Sequence, residues 1–456
     1  MSDAAAQYLA QNREQHIAQL VDFLRIPSIS ALSAHKPDIR KAAEWLAQAL
    51  AGSGLENVAI LETSGNPVVY ADHLHAPGKP TVLIYGHYDV QPVDPLNLWV
   101  TAPFEPSLRD GRIYARGSSD DKGQTYMHVK ALEALIRTGE LGVNVKLCIE
   151  GEEEIGSVHL VPFVEQNAKL LAADTLVISD SSIFSADQPA ICYGLRGLCA
   201  LQLDLITANS DLHSGTYGGA VPNANHALVE LLATLHGKDG TVQVAGFYDD
   251  VKPLSGEERA AYAALPHDDE AYRQTLALPA LHGEVGYSTL ERSSARPTLE
   301  INGIYGGFQG EGTKTVIPAQ AHAKITCRLV DHQDPERVLD LIEGHLRQNC
   351  PEGAAISLTR IDKGRPFLTS LESPAIQTAA AAYEAGWGVK PLFTRMGGSI
   401  PIVEPLARIL QVPVVLMGFG LDSDNLHAPN EHFELANYDR GLTTLIHFYT
   451  HLQAVR

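Results

Sequence analysis

Four short apolar runs, at residues 81–85, 145–149, 175–178 and 414–417, lack the alternation of a half-exposed strand. Runs of this kind suit strands covered on both faces, as in a helix-flanked sheet that is largely parallel. Helical stretches lie between them. Ile17, Leu20, Val21 and Leu24 recur at i, i+3, i+4 and i+7 before Pro27 stops the run. A second helix is predicted over 37–50, ending at Gly52 or Gly54, and a third over 122–136. The pattern reads as α/β.

From about Gly194 the character changes. Residues 198–206 read as a long strand. After Pro222 a helix places Ala224, Ala227, Leu228, Leu231, Leu232 and Leu235 on one face. Ala323, Ile325, Cys327 and Leu329 alternate with His322, Lys324, Thr326 and Arg328, which predicts a half-exposed strand with Arg328 on its polar face. A helix around 338–346 and a strand around 356–361 follow. Residues 194–366 therefore read as a smaller α+β domain inserted into the first, which comprises 1–193 and 367–456. Within the insert, 237–297 is polar, irregular and rich in acid. After Leu368 the first domain resumes with Ser373-Pro374 as N-cap and first-turn proline, and Gly386 is expected to end that helix.

A chain of 456 residues exceeds one ordinary core, which also favours two domains. The net charge of −20 argues against a nucleic-acid or anionic-membrane partner. No stretch approaches the ~20 apolar residues of a membrane span. Met1-Ser2-Asp3-Ala4 carries acid where a signal peptide needs base. The five cysteines include no Cys-x-x-Cys pair, so reduced thiols in a cytoplasmic protein are the simplest expectation.

Five metal-ligand-type side chains lie where apolar runs end or helices begin: His87, Asp120, Glu154, Asp180 and His427. Taken singly, each has an ordinary reading. His87 fits a strand-end polar residue, Asp120 an acidic helix cap, Asp180 a turn, and His427 a loop histidine. The run from Glu150 to Glu154 is different. It follows a predicted buried strand directly, where clustered carboxylates repel unless cations compensate them. Sites in open α/β sheets form beyond the carboxyl ends of the strands, so residues far apart in sequence can meet there. Two imidazoles and three carboxylates suffice for two divalent cations, with Glu153 left over as a base. In the insert, His213 within Asp211-Leu212-His213-Ser214-Gly215 reads as a histidine reaching into a site or as a surface loop residue. Arg328 fits a substrate contact or an ordinary ion pair. Gly397-Gly398-Ser399 fits a plain turn or a backbone contact for substrate.

With these motifs assembled, the chain resembles the di-metal peptidase superfamily of carnosinases, aminoacylases and succinyl-diaminopimelate desuccinylases, closest to the carnosinase-like cytosolic dipeptidases. The resemblance rests on His87-x-Asp89, Arg116-Gly117-x-x-Asp120-x-Lys122-Gly123, Glu153-Glu154, Asp180, Asp211 to Gly215, Lys314 to Pro318, Gly397-Gly398-Ser399 and His427, in the family's order. It implies one metal held by His87, Asp180 and Asp120 and another by His427, Glu154 and Asp120, with the metals zinc or manganese. It implies a cis peptide bond between Asp120 and Asp121. It implies that Asp89 orients His87 and that Glu153 is general base and then general acid. It also implies an insert that serves as lid and homodimerisation domain. His213 would steady the oxyanion in the partner subunit's site, and Thr315, Arg328, Gly398 and Ser399 would contact the substrate. The expected reaction is cleavage of a dipeptide amide, and the alternative is deacylation of an N-acyl amino acid. Met396 bears on that choice. It stands where carnosinase-like relatives tend to carry an acid, so an N-acyl substrate gains ground.

Overall fold

The computed structural model describes residues 3–398 and 400–452. The chain divides into two compact units, one of Met1–Tyr193, Thr369–Thr394 and Pro401–Arg456, the other of Gly194–Leu368 and Arg395–Ile400.

In the first unit a mixed sheet runs in the order Glu56–Leu61, Val68–His73, Asn144–Glu150, Thr81–His87, Thr175–Ile178, Val414–Leu416 and Ala190–Leu195. The four predicted apolar runs form its centre and are mutually parallel. The outer pairings are antiparallel. Successive side chains of a strand point to opposite faces. Val82 and Ile84 join a core with Leu20, Phe23, Leu46, Leu132 and Leu135 from the helices Asp3–Leu24, Lys36–Gly52 and Lys122–Thr138. Leu83 and Tyr85, on the other face, are equally buried. Burying a Leu or Ile this fully contributes about 1.5–3 kcal/mol. That burial on both faces is why these runs carry no polar alternation.

The helix Pro374–Trp387 begins at the expected proline but runs through Gly386, and Gly388 caps it at φ 74°. Gly386 serves a different purpose from the one its sequence position suggested. A Cβ there would lie 2.2 Å from Thr444 Oγ1 and 2.8 Å from the Arg440 carbonyl. Glycine at 386 lets the C-terminal helix Leu435–His451 approach closely.

The second unit is built on a four-stranded antiparallel sheet in the order Thr298–Gly306, Gln320–Leu329, Gly197–Ile206 and Ala355–Gly364. Leu201, Leu203, Leu205, Ala323 and Ile325 pack with Leu228, Leu231 and Leu232 of the helix Ala224–Ala233. They also meet Val338, Leu339 and Ile342 of the helix Pro335–Gln348. The acid-rich stretch 237–297 is less irregular than its composition suggested. It contains the short helices Gly256–Ala264, Asp269–Thr275 and Thr289–Ser294. Capping boxes at Ser255/Glu258 and Ser288/Glu291 start the first and third.

Candidate metal centre

Register explains how distant residues meet. Tyr85 lies opposite Ile178, and Ile178 opposite Leu416, in the parallel core of the sheet. His87 and Asp180 each stand two residues beyond that row, on the same side of the pleat. His87 pairs in register with Glu150, so Glu153 and Glu154 emerge from the next strand at the same edge. The strand His432–Glu434 pairs with Arg112–Tyr114, which brings the C-terminal segment beside residues 116–120.

The resulting contacts are close. His87 Nε2 lies 3.2 Å from Asp120 Oδ1 and 3.9 Å from Asp180 Oδ2. His427 Nε2 lies 2.8 Å from Asp120 Oδ2 and 3.3 Å from Glu154 Oε2. Asp120 thus faces one histidine with each oxygen. Two triads emerge, His87/Glu153/Asp180 and Asp120/Glu154/His427, each offering ligand atoms within 4.8 Å of one another. The peptide bond between Asp120 and Asp121 is cis.

Asp89 does more than orient an imidazole. Its carbonyl accepts from His87 Nδ1 at 3.1 Å, which leaves Nε2 as the lone-pair nitrogen. Its carboxylate accepts from the backbone N–H of Glu153 at 3.3 Å and of Glu154 at 3.2 Å. One residue therefore fixes the histidine of one triad and the backbone that carries both glutamates.

Other positioning residues escaped the sequence reading. Glu431 is fully buried and accepts from Arg116 Nη1 at 2.8 Å and from the N–H groups of Gly117, Ser119 and Asp120 at 2.9, 3.0 and 3.1 Å. Gln91 donates to Glu154 Oε2 at 2.7 Å. Asp121 accepts from the His87 N–H and from Thr125 Oγ1. Lys122 Nζ donates to the Ile26 carbonyl at 2.7 Å, just past the end of the first helix. Nothing in the local sequence marks Glu431. Its role follows only from the pairing of 432–434 with 112–114.

The electrostatics describe a site short of positive charge. Burial pushes Glu153 up to about 7, with Glu154 and Asp120 adding repulsion. Burial and Asp120 raise Glu154, and the same two causes raise Asp180 well above the usual carboxylate range. Against its own burial, Asp120 is held low by the hydrogen bond from His427 and by the neighbouring His87. His427 is pushed up to about 10 by Asp120 and Glu154. His87 Nε2 is buried and has no hydrogen-bond partner. Crowded carboxylates around an unpartnered imidazole nitrogen fit a pair of divalent cations.

The remaining predicted residues belong to the second unit. His213 ends the short strand Leu212–His213 and pairs with Val316, so Thr315 lies alongside. Its Nδ1 accepts from the N–H groups of Gly215 and Thr216, which places its proton on the exposed Nε2. Arg328 is half-buried on Gln320–Leu329. Gly398 is exposed, and Ser399 lies outside the described residues. Arg196 Nε donates to the Gly397 carbonyl at 2.9 Å, and Arg395 pairs with Glu258, which ties Arg395–Ile400 to this unit.

The chain is 31% identical over 462 residues to a Cys-Gly metallodipeptidase of Candida albicans, covering 96% of this chain and 95% of the relative. It is 34% identical over 391 residues to human Beta-Ala-His dipeptidase, covering 84% and 77%. Among solved structures, an M20 family metallo-carboxypeptidase from Sulfolobus solfataricus superposes with a TM-score of 0.84 at 33% identity, covering 95% of this chain and 98% of that one. Residues 83–451 match the model of Peptidase family M20/M25/M40, and the chain belongs to that metallopeptidase family.

Proposed function

We propose that this protein is a dipeptidase in which two cations are held at the strand-end centre. The observation that carries this reading is Asp120, whose two oxygens face the histidines of two different triads. His87, Asp180 and Asp120 would hold one cation, and His427, Glu154 and Asp120 the other. Zinc or manganese suits such a mixed imidazole and carboxylate set. When bound, the pair supplies Lewis acidity that polarises an amide carbonyl and acidifies water.

The protein's own groups then divide the work. Glu153, held through its backbone by Asp89, accepts the proton of the attacking water and returns it to the leaving amine. His213, with its proton on Nε2, is a hydrogen-bond donor for the developing oxyanion. Thr315, Arg328, Gly398 and Ser399 would hold the substrate's carboxylate and backbone. His213 would serve the partner subunit's site in a homodimer formed through residues 194–366. The edge strand Thr298–Gly306, with Ile304, Tyr305 and the following Phe308 exposed, supports an interface on that domain. Free cysteines, including Cys199 and Cys327 facing each other across two strands, support a reducing, cytoplasmic setting.

A second reading has a specific observation behind it. Met396, apolar and half-buried, precedes Gly397-Gly398 where an acid could receive a free α-amino group. N-acyl amino acids, or peptides extended on that side, are then the substrates. The likeness to a metallo-carboxypeptidase points the same way. The test is a panel of free dipeptides, N-acetyl and N-succinyl amino acids and N-blocked dipeptides, on protein reconstituted separately with zinc and manganese. Turnover of free dipeptides is expected. Hydrolysis confined to blocked substrates would replace the dipeptidase reading with the second one.

A further inference from the structure

A different ligand set lies at the edge of the first unit's sheet. Glu56 opens the edge strand Glu56–Leu61, and His73 closes its neighbour Val68–His73. His75 follows two residues later. The pairing slips between Glu56 and Ala59, and Asn57 there adopts φ 49° with its Nδ2 donating to Asp72 Oδ1 at 2.9 Å. A bulge turns neighbouring side chains out of regular alternation. Beside this one Glu56 Oε2 stands 2.9 Å from His75 Nε2. The rings of His73 and His75 have centroids 4.6 Å apart, inclined at 60°. One ligand atom from each of the three residues lies within 4.8 Å of the others. His73 Nδ1 is buried and has no hydrogen-bond partner.

We propose that Glu56, His73 and His75 form a peripheral binding site for a divalent cation of zinc type. The site stands apart from the strand-end centre and does not depend on the dipeptidase reading. Two imidazoles and one carboxylate, with water in a fourth position, are a donor set for borderline d-block ions. Calcium and magnesium prefer oxygen ligands throughout. Bonds of about 2.0–2.1 Å to a tetrahedral ion place ligand atoms roughly 3.3 Å apart. His75 and Glu56 have side chains 60% and 54% exposed. Ligation also requires neutral imidazole. A bound ion would clamp the edge strand to the loop after its neighbour, at the border where a sheet has unpaired backbone groups.

The test uses the full-length chain without a histidine tag. After equilibration in low-micromolar zinc and gel filtration, the wild type is expected to retain about one zinc equivalent more than His75→Ala. Glu56→Gln, altered only at a surface carboxylate, should bind that equivalent at least about tenfold more weakly by titration calorimetry. The difference should persist when both proteins also carry Asp120→Asn, which separates this site from the strand-end centre. Loss of zinc from the Asp120→Asn background alone reports on that centre and leaves the difference intact. Equal zinc retention by wild type and His75→Ala, with both folded, overturns the proposal.

Discussion

The two units present their candidate residues in opposite ways. In the first, His87, Asp120, Glu154 and Asp180 lie at or just past the ends of buried parallel strands or in the turn into a buried helix, with other residues bracing several of them, and only His427 sits on an exposed loop. His87 is fixed by Asp89, Glu154 by Gln91, and the Asp120 backbone by Glu431. In the second unit the corresponding groups are exposed or half-buried on loops and strand ends, and His213 is held mainly by two backbone N–H groups of its own turn. The first arrangement gives a geometry fixed to a fraction of an ångström, as cation coordination demands. The second leaves room for substrates of different size. On the proposed roles, chemistry and specificity would be written in different kinds of structure.

Four measurements can break or sharpen this contrast. Glu153→Gln should lower turnover by about 10²–10⁴-fold while leaving bound metal unchanged. Loss of metal in that variant would mean that Glu153 serves its triad as a ligand rather than in proton transfer. His213→Ala should reduce kcat by about 10²–10³-fold, again without metal loss. Mixing it with Glu153→Gln subunits should restore part of the activity, and proven heterodimers without rescue would confine His213 to its own subunit. Glu431→Gln leaves the buried Arg116 unpaired and the 116–120 turn less firmly held. A loss of metal affinity of about 10–100-fold is expected from calorimetric titration. Unchanged affinity would show that the second layer is not what fixes the centre.

The smallest effect concerns pH. Burial, with Lys130 nearby, lowers His16 to about 4. In the unfolded chain this ring takes up a proton below about pH 6.5, while the folded ring stays neutral until about pH 4. Its contribution is therefore present above pH 6.5 and is lost as pH falls toward 4. Between pH 7 and pH 5 the wild type should lose about 1–2 kcal/mol more stability than His16→Leu. Parallel melting curves for the two proteins would dismiss that contribution.

Much of the fold is legible in the sequence. Doubly buried strands leave an unmistakable apolar signature, and a residue placed just past such a run has few places to go. Helix stops were harder to read. Gly386 looked like a terminator because glycine often is one, but a neighbouring helix needed its missing side chain. The stretch 237–297 looked irregular because its helices are short and polar, although Ser255 with Glu258 and Ser288 with Glu291 spelled out capping boxes. Glu431 was invisible for another reason. Its partners lie more than 300 residues away in sequence, and only the pairing of two short strands brings them together.

The strand order has a consequence for biosynthesis. Val414–Leu416 is wedged between Thr175–Ile178 and Ala190–Leu195, so a gap stays in the sheet until residues 414–416 have left the ribosome. His427 and Glu431 come later still. A chain synthesised only to residue 413 therefore holds four of the five candidate ligands and lacks His427.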